Sequence, residues 1–355
     1  MHILVLPGDG IGPELTDATL AILGAANDLM DLGLTFERMD VGFASLASVG
    51  STCPESVMER VRQVDGVILG PVSHSDYPAR SEGGINPSAA LRVIFELGAN
   101  IRPARSRARL SYLRAPMDLI IVREATEGFY ADRNMYSGIA EFMPDAETAL
   151  SVRKISANAC RRVAHAACAL ARERGRKVTA VHKANVLRTT DGLFLRTVRE
   201  VAREYPDVEL DELLIDATAA LLIRTPERFD VIVTTNMFGD ILSDEAAELT
   251  GGLGLAGSIN VGDDVCVAQA QHGSAPDIAG QGIANPTSLI LSAAMLLNWR
   301  GRRDRDAALC KAGNLIEQAV DVVLADPDKC TRDVGGCQDT TSFTAYVITA
   351  LEQLT

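Results

Sequence analysis

The chain lacks any pair of cysteines at redox or metal-binding spacing. Its seven cysteines (Cys53, Cys160, Cys168, Cys266, Cys310, Cys330 and Cys337) are scattered and odd in number. That pattern excludes a disulfide framework, argues against structural zinc, and fits reduced thiols in a cytoplasmic protein. No apolar run approaches the roughly 20 residues that a membrane helix needs, and no signal peptide is legible before the first apolar run. Positive charge is in short supply: 34 Lys and Arg against 47 Asp and Glu leave a formal net charge of −13. This argues against nucleic acid or an anionic membrane as partner, while local arginine clusters still permit an anionic substrate. Aromatic residues make up only 5% of the chain, while Gly and Ala are plentiful, which suits tightly packed helices on a sheet.

The 355 residues exceed one ordinary core, so two domains sharing a deep cleft are expected. Apolar runs at His2–Leu6, 66–70, 119–122, 178–181, 209–215 and 230–234 read as strands. Stretches 15–29 and 155–173 repeat apolar residues at helical spacing, with Val163, Ala167 and Leu170 on one face of the second. Strands alternating with helices imply an α/β fold with a largely parallel sheet. The segment 127–147 is polar and poorly periodic, and reads as an arm or hairpin outside the core.

Gly8, Gly10 and Gly12 lie between a strand and a helix, which invites a dinucleotide-binding reading. The fingerprint fails, because Pro13 occupies the third glycine position and no clear acidic residue closes the next strand about 20 residues on. A P-loop fails too, for want of GK[ST]. The glycines read instead as a tight turn in close approach to a neighbour or ligand.

Asp240 and Asp244 in NMFGDILSD are four residues apart in a stretch with helical propensity after Gly239, so both carboxylates share one face. Like charges at that spacing repel unless a cation lies beside them, and hard oxygen ligands suit Mg²⁺ or Mn²⁺. A solvated acidic face, with Glu245 and Glu248 following, is the alternative. The preceding strand, DVIVTTN, places the pair at a strand's carboxyl end, where open α/β sheets bind ligands. Asn86 and Pro87 read as the cap and first residue of a helix carrying Ser88, Ala89 and Arg92. Arg102 and Arg123 lie in or beside strands. Each alone reads as an ion-paired arginine, but three together fit bidentate clamping of a dicarboxylate. Tyr130 follows in TEGFY, and Lys183 follows a strand in VHKANVL. A lysine there is ordinarily solvated; near a divalent cation and arginines its ammonium form is disfavoured, as a general base requires. In HGSAPDIAGQGIANP, small residues permit close approach to a flat adenosine. Asp277 there suits ribose hydroxyls and repels a 2′-phosphate, favouring NAD over NADP.

Together LPGDGIGPE, LRVIFELGANIRP, VREATEGFY, HKANVL, NMFGDILSD, HGSAPDIAGQGIANP and a late DVGG resemble the β-decarboxylating dehydrogenases, which act on isopropylmalate, isocitrate, homoisocitrate or tartrate. The resemblance spans nearly the whole chain. It implies an α/β, isopropylmalate-dehydrogenase-like two-domain fold without a standard Rossmann domain. One domain would comprise 1–97 plus 251–355 and bind the cofactor; the other, 98–250, would bind substrate and dimerise through an arm near 127–147. It places substrate contacts on Ser88, Arg92, Arg102, Arg123 and Asp216, and catalytic roles on Tyr130 and Lys183. Mg²⁺ or Mn²⁺ would be held by Asp216, Asp240 and Asp244. NAD would be held by His272, Gly273, Ser274, Ala275, Asp277, Ile278 and Asn285. Lys183 and Asp216 would come from the partner subunit of a homodimer. The implied reaction is oxidation of a 3-substituted malate to a 2-oxo acid with loss of CO₂: the metal lowers the hydroxyl's pKa, Lys183 takes its proton, and Tyr130 protonates the enol.

Ser88 and Ala89 stand where isopropylmalate enzymes usually carry two leucines, and the extra arginine common in homoisocitrate enzymes near Ala89 is missing. TEG, HKAN and TDGLF look like the isocitrate and homoisocitrate branches, whereas PDIAG looks like the isopropylmalate, homoisocitrate and tartrate branches. Gln269 replaces the usual Glu three residues before the loop histidine. Tartrate or D-malate dehydrogenase activity is an alternative within the family. A non-catalytic regulatory subunit of a hetero-oligomeric isocitrate dehydrogenase is the alternative of a different class, disfavoured because such subunits typically lose catalytic or metal positions.

Overall fold

Short apolar runs punctuated by Gly and Pro set the elements, and the computed structural model describes residues 1–107, 109–113, 115–130, 134–135 and 138–355. The first part of the chain forms β1 (His2–Leu6), α1 (Gly12–Met30), β2 (Thr35–Arg38), α2 (Phe43–Val49), α3 (Glu55–Val61), β3 (Gly66–Leu69) and α4 (Pro87–Ile94). The middle forms β4 (Ala99–Arg105), β5 (Asp118–Glu124), β6 (Glu141–Asp145), β7 (Thr148–Ser151), α5 (Ala157–Arg172), β8 (Lys177–His182) and α6 (Thr190–Ala202). It continues with β9 (Glu209–Leu214), α7 (Ile215–Arg224), β10 (Val231–Thr234) and α8 (Asn236–Thr250). The last part forms β11 (Ile259–Val261), β12 (Cys266–Gln269), α9 (Thr287–Asp304), α10 (Ala307–Leu324) and α11 (Thr340–Leu354).

Among the described residues ten strands make one sheet in the order β2-β1-β3-β12-β11-β4-β5-β10-β8-β9. The sheet is mostly parallel, as helical crossovers between strands require. The exceptions are central: β12–β11, β11–β4 and β4–β5 run antiparallel. Five strands from 2–69 and 259–269 form one side, five from 99–234 the other, and Asn260 opposite Asn100 marks the join.

Three apolar clusters hold helices to this sheet. Leu4, Leu6 and Leu69 pack with Val57 and Leu91 on one side of the join. Ile121 and Ile232 pack with Leu242 and Ala246 on the other. The largest cluster, running from Ile3 to Leu351, includes strands of both sides. Each such fully buried Leu or Val stabilises the fold by about 1.5–3 kcal/mol. Leu242 and Ala246 also decide orientation: anchoring α8 by that stripe turns Asp240 and Asp244 to a different face of the helix.

The helix carrying the aspartates begins at Asn236, three residues before Gly239, so the glycine is inside it. The missing side chain is required there, because a Cβ on Gly239 would lie 2.7 Å from the Cβ of Arg123. β6 and β7 pair as an antiparallel hairpin apart from the main sheet, exposed along both strands. Of the segment 127–147, residues 131–133, 136 and 137 lie outside the described residues. All seven cysteines are unpaired. Among the described residues no helix is long and apolar enough to cross a membrane.

Candidate active site

The carboxyl ends of β5, β8 and β10 face one way, and the chain leaving β5 and β10 supplies Tyr130 and Asp240 to the site. A cleft of about 330 Å³ is lined by Ser88, Ala89 and Arg92 from α4, Arg102 and Arg123 from the sheet, Tyr130, Asp240, Gln269, Gln271, His272 and Gly273. α4 is fixed at its start by Asn86, whose Oδ1 accepts the Ala89 N–H at 3.2 Å, and by Pro87 in its first turn. That cap sets which side chains α4 turns into the cleft.

Asp240 is the hub. Its Oδ1 accepts from Arg102 at 3.3 Å and from Arg123, and its Oδ2 accepts the Tyr130 hydroxyl at 3.2 Å. Arg123 is oriented from behind by Asn236, whose Oδ1 takes its Nε at 2.9 Å and Nη2 at 2.7 Å. Arg102 is held likewise by Asn100 at 2.6 Å and Ser243 at 2.7 Å, and its Nη1 also reaches Oδ1 of Asp244 at 3.3 Å. The like-charge pair is therefore spanned by one guanidinium. Burial brings Arg102 down to about 10, with the neighbouring Arg123 adding to the effect and the two aspartates opposing it. Burial likewise lowers Arg123, against the pull of Asp240. At neutral pH both remain cations, fixed and partly dehydrated, which favours exchange of carboxylate partners when a polyanion enters.

Lys183 and Asp216 meet each other rather than the cleft. The Lys183 ammonium donates to Oδ1 of Asp216 at 2.5 Å, and that bond holds the Asp216 carboxyl below the usual range. Among the described residues of one chain, no three His, Cys, Asp or Glu side chains converge as a metal site. Behind Lys183 stands a residue without a role in the sequence reading, the fully buried Asp191. Its carboxylate takes the Lys183 backbone N–H at 2.5 Å and pairs with Arg153. It lies in the TDGLF stretch, and its signal was an acidic residue in the first turn of a helix.

The loop from His272 to Asn285 borders the cleft at His272 and Gly273. A Cβ on Gly273 would meet no atom within 4 Å, so this glycine keeps space open toward the cleft rather than relieving a packing clash. Burial lowers the pKa of His272, which disfavours the imidazolium form. Ser274 points inward: its hydroxyl pairs with Ser73 at 2.7 Å and its carbonyl accepts the Ile11 N–H at 2.9 Å. Asn285 is buried too, donating to Asp333 of DVGG at 2.9 Å and accepting from Thr287 at 3.0 Å. Ala275 and Ile278 pack on the main core, and Asp277 is exposed.

The N-terminal glycine turn acts on this loop. Gly10 has φ +57°, and a Cβ there would lie 2.0 Å from the Ser274 carbonyl oxygen. Asp9 between the glycines takes the Phe43 N–H at 2.7 Å, the Ser73 N–H at 3.0 Å and the Tyr77 hydroxyl, tying three segments beneath the loop. Gly10→Ala is expected to destabilise the fold by at least about 1–2 kcal/mol, from the left-handed backbone alone. Urea midpoints check the effect.

The α4 side of the cleft holds the least foreseeable contact. Ser88 Oγ donates to Gln269 Oε1 at 2.8 Å, joining two residues 181 apart in sequence.

Residues 2–350 match the family described as isocitrate/isopropylmalate dehydrogenase. The isocitrate/homoisocitrate dehydrogenase of Thermus thermophilus is 42% identical over 355 residues, covering 99% of each chain. The 3-isopropylmalate dehydrogenase of Methanothermobacter thermautotrophicus is 41% identical over 353 residues, again covering 99% of each. The crystal structure of isocitrate dehydrogenase from Methylococcus capsulatus superposes with a TM-score of 0.86 at 37% identity, covering 99% of both chains. With its α/β fold and its full length matched, the chain belongs to the isocitrate/isopropylmalate dehydrogenase family of NAD-dependent decarboxylating dehydrogenases.

Proposed function

We propose that this chain oxidatively decarboxylates a 3-substituted malate with a polar 3-substituent, of the isocitrate or homoisocitrate type, using NAD and Mg²⁺ or Mn²⁺. The observation that carries the substrate class is the Ser88–Gln269 pair in place of an apolar wall. An isopropyl group against it would displace water from the amide nitrogen of Gln269 without offering a hydrogen bond in return, a penalty of about 1–3 kcal/mol or roughly 5- to 150-fold in efficiency.

Asp240 and Asp244 offer hard carboxylate oxygens on one helix face, a donor set that fits Mg²⁺ or Mn²⁺. Within one chain they form part of a site, and Asp216 of a second copy is the third ligand in this reading. When bound, the ion supplies Lewis acidity to the substrate's hydroxyl oxygen. Arg92, Arg102 and Arg123 bind the carboxylates and orient the hydroxyl-bearing carbon toward the nicotinamide. Lys183 of the second copy takes the hydroxyl proton, and NAD, where bound, would supply the hydride acceptor. The bond to the β-carboxylate then breaks, CO₂ leaves, and the electron pair stays on carbon. Tyr130, held at Asp240, returns a proton to that carbon.

A homodimer with shared sites, cofactor domain 1–97 plus 251–355 and substrate domain 98–250, belongs to the same reading. Its support is exposed apolar surface: Ile241 at 57%, Ile223 at 60%, Val186 at 67% and Met143 of the hairpin at 62%. Asp277 directs the preference to NAD over NADP by repelling a 2′-phosphate. Unpaired cysteines fit a cytoplasmic setting.

The test is a panel of isocitrate, homoisocitrate, isopropylmalate, tartrate and malate, scored by NADH formation with Mg²⁺ or Mn²⁺ and repeated with NADP. Isocitrate or homoisocitrate should lead isopropylmalate by the factor above, and chelation should abolish the rate. Preference for isopropylmalate would overturn the polar wall, no turnover of any substrate would overturn the reading, and equal efficiency with NADP would remove the role of Asp277.

A further inference from the structure

We propose that Gln271 is a positioning residue through which the cofactor loop and Asp244 act on each other, so that metal and cofactor bind cooperatively. This rests on the reading that Asp240 and Asp244 serve a divalent cation and that the loop after Gln271 holds the adenosine.

Gln271 lies immediately before His272, where the chain leaves β12 for the loop. Its main chain is fixed from below. The Gln271 N–H donates to Ser288 Oγ at 3.2 Å, and Ser292 Oγ donates to the Gln269 carbonyl at 3.1 Å. Both serines are fully buried in α9, and Ser288 is itself anchored to the Ala256 carbonyl at 2.5 Å. From that fixed base the Gln271 side chain crosses to α8, where its Nε2 donates to Oδ1 of Asp244 at 3.0 Å. β12 and β10, which lead into the two partners, lie on opposite sides of the sheet's central join. The bond therefore links the two halves of the molecule across the cleft.

Asp244 needs such a partner. Its side chain is 49% exposed, and a carboxylate rotates readily about its last torsion. Arg102 reaches it at 3.3 Å, but the same nitrogen also serves Asp240 and Ser243. Gln271 adds a second donor to Oδ1, which restricts the rotation of the carboxylate that would hold a cation. Adenosine that settles the loop thereby settles the carboxylate, and a cation that settles the carboxylate settles the loop, because linkage is reciprocal.

The full-length protein can be tested without turnover, by Mn²⁺ titration followed by electron paramagnetic resonance and by NADH fluorescence. In the wild type, saturating NADH should tighten Mn²⁺ binding roughly five-fold or more, and Mn²⁺ should tighten NADH equally. Gln271→Met keeps the side chain's length and removes the donor. It should bring that factor to about one while NADH affinity without metal stays within about two-fold, a change that general destabilisation does not produce. Gln271→Ala should match it, and serves alone if the methionine variant fails to give a wild-type circular dichroism melt. A wild-type coupling factor in the folded variant overturns the proposal. Mn²⁺ binding without coupling in the wild type also overturns it and leaves the proposed function standing, whereas absence of Mn²⁺ binding overturns both.

Discussion

Lys183→Met is expected to lower kcat by roughly 10²–10⁴-fold, the usual contribution of a positioned general base. Folding and NADH affinity should change little. The backbone at Lys183 is held through its N–H by buried Asp191, a bond that the substitution leaves in place. The side chain's partner, Asp216, is 65% exposed, so losing that ion pair costs little stability. The Asp216 carboxyl should return upward toward its ordinary range once the ammonium is gone, which a carboxyl-labelled NMR titration reads. Because the folded-state value is depressed, the pair's small stabilisation is present at neutral pH and is lost as pH falls through that depressed value. Wild-type turnover in the variant would remove Lys183 from the reaction.

Arg102→Met is expected to reduce kcat/KM by about 2–5 kcal/mol, roughly 30- to 4,000-fold, as truncation of one partner of a buried, hydrogen-bonded charge pair does. Two consequences separate substrate binding from general damage. The KM for substrate should carry a large part of the loss, because a carboxylate loses its clamp. Mn²⁺ binding without substrate should be at least as tight as in the wild type, because Arg102 is the cation now spanning Asp240 and Asp244. Without it, two like charges at helical spacing face one another, and a divalent ion relieves that repulsion. Weaker Mn²⁺ binding with unchanged KM would contradict this division of labour.

What the sequence made legible was local. Asn86 as cap followed from its side chain and from Pro87 beside it, and the shared face of Asp240 and Asp244 followed from helical periodicity. Helical propensity after Gly239 does not reveal that α8 begins at Asn236, because a glycine reads as punctuation. Its reason for being glycine is the Arg123 side chain packed against it from a strand more than a hundred residues earlier. The antiparallel strands at the sheet's centre were not legible either, since strands separated by helical patterns suggest parallel neighbours. β11 pairs with β4 only because the chain returns from far downstream. The same holds for the site: Ser88 with Gln269, Gln271 with Asp244, and Gly10 with Ser274 join residues whose kinship no periodicity carries. The glycine turn illustrates the difference well. Its close approach to a neighbour was readable from composition, but the neighbour was not.

The proposed mechanism requires Lys183 of one subunit to work with Asp240 of the other. Lys183→Met and Asp240→Asn chains, each inactive as a homodimer, can be co-expressed with different affinity tags and the heterodimer purified through both. One of its two sites then contains both intact residues, so the account predicts about half the wild-type turnover per dimer. Turnover as low as that of either parent would place Lys183 and Asp240 in the same subunit's site and contradict it.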